Sequence, residues 1–255
     1  MTAKNRVQRP PAGKLVLASD GNLARTVRPW ASEKLSYLKR YIDIFTTSMK
    51  GKWDRLVYID LMCGPGKSII TDTGLEIEGS PLLALHAKYP FTQLYLNDKD
   101  ARALKALEQR IDNESVAVQT RGLDCNGAAR EAGGLLNRRD LALAFIDPTA
   151  FQIGFDGIAN LTQDHSVDLI ITVMTGYIRR FIGQPSYESA MDRFFGFPEW
   201  RELIEREAGR RSPTYRDLLD KYEAGLRAIG YIHVNDVVRV PNTRGQTIYH
   251  IVFAS

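Results

Sequence analysis

The stretch LVYIDLMCGPGK, residues 56–67, constrains the fold of this chain more than any other segment. Residues 56–59 form a short apolar run with branched and aromatic side chains, which is typical of a strand buried on both faces. Asp60 ends the run, and Gly64 and Gly66 follow in the pattern D-x-x-x-G-x-G. Glycines at this spacing allow a sharp turn and a close approach of bare backbone to a ligand. The pattern therefore predicts a parallel sheet with a ligand at its carboxyl edge.

The spacing of the glycines also narrows the kind of ligand. It departs from the G-x-G-x-x-G fingerprint of dinucleotide sites, and Lys67 lacks the glycine spacing of a Walker loop. An acid followed by two glycines suits nucleotide-like cofactors without a pyrophosphate, of which S-adenosylmethionine (SAM) is the commonest. A tight strand-to-helix turn without a ligand is the alternative. We expect SAM, with Asp60, Gly64 and Gly66 among its binding residues.

Composition indicates an ordinary soluble α/β protein. Of the 255 residues, 44% are hydrophobic and 25% are charged, and the net charge of +4 permits an anionic partner such as nucleic acid without requiring one. Cys63 and Cys125 provide neither a disulfide framework nor a zinc site. No apolar run approaches membrane-spanning length, and the amino terminus lacks the apolar core of a signal peptide. The expectation is a cytoplasmic protein without a membrane partner.

Hydrophobic periodicity predicts strands that alternate with helices. The predicted strands are residues 56–59, 93–96, 116–119, 141–146 and 167–173, followed by a hairpin of 237–240 with 247–253. Helices are predicted at 32–50, 80–87 and 101–111, and a helical insertion at about 177–229. Residues 68–79 are predicted to be a polar excursion, and residues 1–16 a mobile basic tail or an arm that contacts phosphates. The remaining residues, 17–255, are expected to form one domain, with a mostly parallel sheet and a terminal antiparallel hairpin.

Acidic residues follow the next two predicted strands. Asp98 comes after strand 93–96, where a carboxylate is well placed to accept the ribose hydroxyls of a nucleotide-like cofactor. Asp100 is an alternative for that role, and Asp98 is alternatively a helix cap. Asp124 follows strand 116–119 and is placed to accept a hydrogen bond from an adenine amino group, or to cap the next helix.

Asp147 is the candidate catalytic residue. It ends the apolar strand 141–146 and precedes Pro148, which favours extended geometry in the residue before it. A carboxylate beside the cofactor cleft can orient or deprotonate an attacking amine or hydroxyl. A purely structural turn is the competing interpretation.

The predicted insertion is rich in arginine and aromatic residues. Arginine beside aromatic rings can stack on and neutralise a nucleic acid, although the same composition describes an ordinary solvated helical segment. The arginines are Arg179, Arg180, Arg193, Arg201, Arg206, Arg210, Arg211 and Arg216.

The strand order and motifs resemble the class I SAM-dependent methyltransferases. Asp60, Gly64 and Gly66 match the first motif of that superfamily, Asp98 its second and Asp124 its third, and Asp147-Pro148 falls where the fourth lies. A closer resemblance is to the three-Cys-motif partner proteins (TcmP). It is carried by EKLSYLKRYIDIFTTSMKGKW, YIDLMCGPGKS, EGSPLLAL and FIDP. That resemblance implies a methyltransferase-like domain, often encoded beside a cysteine-motif companion protein.

One motif departs from a related pattern. The sequence DPTAF differs from the D-P-P-Y of amine-directed adenine methyltransferases, because Thr149 replaces a proline and Phe151 comes one position late. This argues against adenine-amine methylation. The leading hypothesis is a SAM-dependent methyltransferase that acts on a nucleic acid, a nucleotide or another acceptor. The alternatives are a non-catalytic scaffold for the companion protein and an enzyme that uses SAM for another reaction.

Overall fold

A computed structural model describes residues 11–111, 116–205 and 213–255 of the chain. Within these residues, a sheet of seven strands forms the centre of the molecule. Its strands are β3 (Arg55–Asp60), β6 (Gln93–Asn97), β7 (Ala117–Arg121), β8 (Asp140–Ile146), β9 (Ser166–Val173), β10 (Val234–Pro241) and β11 (Thr247–Ala254). In space their order is β10-β11-β9-β8-β3-β6-β7.

The direction of the strands follows from the pairing. The pairs β3–β6, β3–β8, β6–β7 and β8–β9 are parallel, whereas β11 is antiparallel to both β9 and β10. β11 is therefore the one reversed strand of this sheet in the described part of the chain. The predicted α/β class, the mostly parallel sheet and the terminal hairpin are confirmed.

Helices cover both faces of the sheet, which explains why β8, with the sequence DLALAFI, is buried along its whole length. One face packs against α1 (Trp30–Met49), α2 (Ser80–Leu85) and α3 (Ala101–Ile111). The other packs against α4 (Cys125–Leu135), α5 (Phe155–Thr162) and the helices that follow β9. Those later helices are α6 (Thr175–Phe181), α7 (Glu188–Phe195), α8 (Glu202–Glu205) and α9 (Tyr215–Ala228), so the predicted helical insertion is confirmed.

A second sheet combines two strands from the amino-terminal region with two strands at the predicted polar excursion. Its strands are β1 (Leu15–Leu17), β2 (Leu23–Val27), β4 (Lys67–Ile70) and β5 (Glu76–Glu78), in the order β1-β2-β4-β5. Residues 15 and 16 of the predicted tail thus belong to a strand, and most of the predicted excursion is a hairpin. These strands are only three to five residues long, too short for single-sequence periodicity to reveal them. Residues 1–10 of the predicted tail lie outside the described residues.

Arg110 joins this small sheet to α3 and to the turn after β3. Its guanidinium donates two hydrogen bonds of 2.9 Å to the Asp20 carboxylate and one of 2.7 Å to the Leu23 carbonyl. It also donates to the Pro65 carbonyl, inside the glycine turn. The Arg110 side chain is only 5% exposed, and this pairing holds the pKa of Asp20 well below its usual range. The small sheet is therefore fixed against the glycine turn by a shielded cation.

Candidate cofactor-binding site

The candidate site lies at the carboxyl edge of the central sheet, between β3 and β8. From β3 the chain continues to β6 and β7 on one side, while β8 leads to β9 on the other. In open α/β sheets, such a reversal of strand order opens a crevice in which ligands bind. Asp60 ends β3 and Asp147 directly follows β8, so the two carboxylates lie on either side of this reversal.

Two carboxylates shape the glycine turn that follows β3. Gly64 and Gly66 have φ angles of +66° and +88°, in the left-handed region that disfavours other residues. Asp98 Oδ2 accepts a 2.8 Å hydrogen bond from the Gly64 N–H, and Asp60 Oδ1 accepts a 3.2 Å bond from the Met62 N–H. The acids predicted to bind the cofactor are thus also bonded to the backbone of the turn.

Asp60 is fully buried beneath the turn. The Tyr58 hydroxyl donates to its Oδ2 at 3.4 Å. Burial raises the pKa of Asp60 to about 7, and this outweighs the hydrogen bonds from Ser80 and the Met62 backbone, which act in the opposite direction. A carboxyl group with such a pKa titrates near neutral pH. Its predicted contact with the cofactor stays a prediction.

On one side of the turn lies a cavity of about 270 Å³ that we call the amide cavity. Side-chain amides and a carboxylate line it, together with the apolar side chains of Leu61, Met62 and Leu123. The buried Asn97 holds the wall together, because its amide bonds the Leu61 carbonyl at 2.9 Å and the Leu123 N–H at 2.9 Å. Its polar lining residues are Asn97, Lys99, Asp124, Asn126 and Gln152. Flat apolar contacts with convergent hydrogen-bonding groups suit a nucleoside.

Asp124 caps a helix and also lines the amide cavity. It lines the amide cavity and is also the N-cap of α4, where Oδ1 accepts from the Asn126 and Gly127 N–H groups at 3.0 and 3.2 Å. These backbone bonds lower the pKa of Asp124 and keep it a strong acceptor. The cap is therefore established, and contact with an adenine stays a prediction.

On the other side of the turn lies a smaller cavity of about 100 Å³, which we call the charged cavity. Cationic side chains from three elements line it, together with the predicted catalytic carboxylate and the glycine turn. Its charged lining residues are Arg25, Lys34, Lys67 and Asp147. Met62 borders both cavities, so the glycine turn separates two compartments of unlike chemistry.

Asp147 forms an ion pair with Lys34, which comes from α1. The Lys34 ammonium also lies 5.2 Å from the centre of the Tyr249 ring. Both partners are mostly buried, with side-chain exposures of 13% for Lys34 and 25% for Asp147. The Asp147 side chain therefore lines the charged cavity. Lys34 is not among the residues predicted from the sequence, although its position one helical turn before the buried Leu38 was a usable signal.

Asp98 lines neither of the two cavities itself, but it contacts two residues that line the charged cavity, Gly64 and Arg25. Besides holding the Gly64 N–H, it accepts a 2.8 Å bond from the Asp100 N–H and lies 3.7 Å from Arg25. Asp100, the alternative, pairs with the exposed Arg102. The ribose role of Asp98 stays a prediction. Arg25 is a further residue that the sequence analysis missed, because it reaches the site from the unpredicted small sheet.

The arginines of the insertion mostly bond within the protein. Arg201 pairs with Glu188 at 2.9 Å and Asp192 at 2.8 Å, and Arg216 pairs with Glu223 at 2.6 Å. Arg179 lies 5.0 Å from the centre of the Tyr215 ring. Of the predicted set, Arg206, Arg210 and Arg211 lie outside the described residues.

The aromatic residue of the DPTAF motif packs inside the protein. The Phe151 ring meets the Tyr177 and Phe194 rings edge-on, with centroids 5.4 and 5.5 Å apart. Within the described residues, no cluster of potential ligands for a metal is present. Among the same residues, no helix is both long and apolar enough to cross a membrane.

Comparisons with known proteins address the fold. Protein LPL1258 from Legionella pneumophila superposes with a TM-score of 0.54 at 13% identity, over 89% of this chain and 85% of its own. DszA carbon methyltransferase gives a TM-score of 0.49 at 11% identity, over 88% of this chain and 54% of its own. A SAM-dependent O-methyltransferase from Thermotoga maritima gives 0.41 at 10% identity, over 95% and 77%.

No protein-family model and no curated protein matches the sequence. The likeness to solved structures is therefore one of fold, and it agrees with the strand order described above. The fold is α/β with a Rossmann-like, mostly parallel sheet.

Proposed function

We propose that this chain is a SAM-dependent methyltransferase. The observation that carries the proposal is the pair of unlike cavities that border one glycine turn at the reversal of the sheet. SAM has two unlike halves: a neutral adenosine, and a methionine part that carries an ammonium, a carboxylate and the sulfonium. A cavity lined by three side-chain amides with Lys99 and Asp124, beside a cavity with four charged side chains, fits that division, which a simple strand-to-helix turn would not require.

The residues of the chain divide the binding work accordingly. In the amide cavity, Asp124 and Asn97 would meet the adenosine. In the charged cavity, Arg25 and Lys34 would attract the methionine carboxylate. Asp60 and Asp98 would act by holding the glycine turn in shape, and Asp98 is additionally proposed to accept the ribose hydroxyls. When bound, SAM supplies a methyl group that its sulfonium charge activates.

Asp147 is the proposed catalytic residue. Its carboxylate lies in the charged cavity, where it can accept a hydrogen bond from the attacking group and take up the proton that this group loses. Lys34 keeps that carboxylate oriented. Methyl transfer mainly needs two reactants aligned in a shielded site, so one acid with its positioning cation is a sufficient set.

The finer assignments rest on sequence resemblance. We propose a relationship to the TcmP proteins and, with it, a cysteine-motif companion protein as a partner. The mild positive charge permits a nucleic-acid or nucleotide acceptor, but the paired arginines of the insertion give that acceptor little support. In the scaffold alternative, the same fold would bind the companion without catalysis.

The test is calorimetric titration of the purified protein with SAM and with S-adenosylhomocysteine. We expect micromolar affinity for both. Asp60→Ala should weaken binding; Asp60→Asn, which keeps the shape of the buried side chain, controls for loss of folding. Asp147→Asn should leave affinity for S-adenosylhomocysteine unchanged and lower turnover. If the folded wild-type protein binds neither compound, the proposal is wrong, and the scaffold alternative becomes the one to test.

A further inference from the structure

A third cavity, which we call the apolar cavity, adjoins the charged cavity beneath α1. It has a volume of about 160 Å³ and lies between α1 and the strands β8 to β11. Aromatic and branched side chains form most of its wall. The wall residues used below are the aromatic and branched Tyr41, Ile44, Phe145 and Phe253, together with Lys34.

The apolar cavity and the charged cavity share two wall residues, Lys34 and Phe145. Lys34 therefore spans the two spaces: its ammonium pairs with Asp147 on the side of the charged cavity, and the side of the apolar cavity is lined almost wholly by apolar atoms. A molecule in the apolar cavity would present a polar end to this ion pair, beside the predicted catalytic carboxylate.

Part of the wall is fixed before any ligand binds. The Tyr41 hydroxyl donates a 2.7 Å hydrogen bond to Asp168 Oδ2, and the Tyr41 and Phe253 rings lie 4.3 Å apart. Ile44, also in the wall, is 62% exposed, so the cavity is open to solvent at this apolar side chain. A preformed apolar space with an exposed apolar residue in its wall is suited to a small hydrophobic ligand.

We propose that this apolar cavity holds the methyl acceptor, and that the acceptor is a small aromatic molecule with an acidic hydroxyl group. The inference rests on the proposed function. Apolar protein cavities of about 150 Å³ accommodate a benzene ring, so the volume here suits one substituted ring. The ion pair at the junction explains the hydroxyl: Asp147 can accept its proton, and Lys34 can stabilise the oxygen anion that remains.

The reaction then balances as a simple displacement. The aryl oxygen forms a bond to the methyl carbon, the methyl–sulfur bond breaks, and its electron pair stays on sulfur, which becomes a neutral thioether. The hydroxyl proton passes to the Asp147 carboxylate. No oxidant or reductant is required.

The binding test uses 4-nitrophenol, whose ionised form absorbs visible light, with protein saturated by S-adenosylhomocysteine. We expect saturable binding. Ile44→Asp, which places a carboxylate in the cavity wall, should weaken it about tenfold. The matched control is Leu17→Asp, at an apolar residue that is 72% exposed in the small sheet, and it should bind like the wild type. Lys34→Met should lower the ionised fraction of bound 4-nitrophenol, which a merely structural role of the cavity would not predict.

The outcomes separate this inference from the proposed function. If S-adenosylhomocysteine binds but 4-nitrophenol does not, or if Ile44→Asp and Leu17→Asp have equal effects, the acceptor inference is wrong and the cofactor proposal stands. If label from SAM is transferred to an oligonucleotide and 4-nitrophenol does not compete, the acceptor is a nucleic acid and the inference is also wrong. If S-adenosylhomocysteine itself fails to bind, the proposed function fails first and the inference falls with it.

Discussion

The amide cavity and the charged cavity flank the same glycine turn, yet the sequence builds them in different ways. The polar groups of the amide cavity come largely from the loops after β6 and β7, and the buried Asn97 ties those loops together. The charges of the charged cavity come from distant parts of the chain. Lys34 and Asp147 are 113 residues apart, and Arg25 belongs to the second sheet.

Because the two cavities are built from different parts of the chain, we expect them to respond to different perturbations. Recognition in the amide cavity depends on local loop geometry. Recognition in the charged cavity depends on long-range docking of α1 and the small sheet. Changes to the shared turn should affect both compartments, and changes to a single wall should affect one.

The largest expected effect is on stability and comes from Asp60, beneath both cavities. Its pKa is about 7 in the folded protein against an ordinary value of 3.8, so between these values the folded protein retains a proton that the unfolded chain has lost. The contribution of Asp60 to the free energy of unfolding should therefore fall as the pH rises from about 4 to about 7, by on the order of 4 kcal/mol. Urea unfolding across this range measures the slope. Asp60→Asn should flatten it, and an equal slope in the variant would contradict the assignment.

Gly66→Ala should have the next largest effect on stability, because it perturbs the turn that both cavities share. A Cβ there would sit 3.0 Å from Leu107 Cδ1 and would also require the φ of +88°, so we expect a loss of about 3 kcal/mol. Gly74→Ala is the matched control, since its φ is +78° but nothing lies within 4 Å. It should lose about 1 kcal/mol. Equal losses in thermal unfolding would mean that packing under the turn is not limiting.

Lys34→Met should distinguish binding in the charged cavity from binding in the amide cavity. Removing this cation should weaken SAM binding about tenfold, because the methionine carboxylate loses a partner and Asp147 is left unpaired. Binding of adenosine, which lacks the methionine, should not change. Calorimetry with both ligands measures this difference. Equal weakening of the two would show that Lys34 acts on the fold and not on one compartment.

Asp124→Ala tests the amide cavity and should have the smallest effect on stability and binding. Loss of the N-cap of α4 should cost about 1 kcal/mol of stability. Affinity for adenosine should fall several-fold. Asp124→Asn retains a capping side chain, so it should restore the stability; any weakening that persists in Asp124→Asn reports contact with the ligand and not the cap.

The difference in how the cavities are built also explains what the sequence could predict. The central sheet and the acids Asp60 and Asp147 were predictable, because long apolar strands and the carboxyl edge of a parallel sheet are visible in local patterns. Arg25 was not, since its placement depends on pairing between remote segments, and for Lys34 the sequence showed only a position one helical turn before the buried Leu38. The small sheet was not predicted for a similar reason. Its strands β2 and β4 pair in parallel, but α1 and β3 lie between them in the sequence.

Arg110 gives the small sheet a consequence beyond the walls of a cavity. One shielded guanidinium bonds Asp20, the Leu23 carbonyl and the Pro65 carbonyl. The amino-terminal strands and the glycine turn are therefore hydrogen-bonded to the same side chain of α3. Local opening of any one of them breaks bonds made by the others. The amides of β2 and of the glycine turn should therefore exchange with solvent at a common rate, as one cooperative unit.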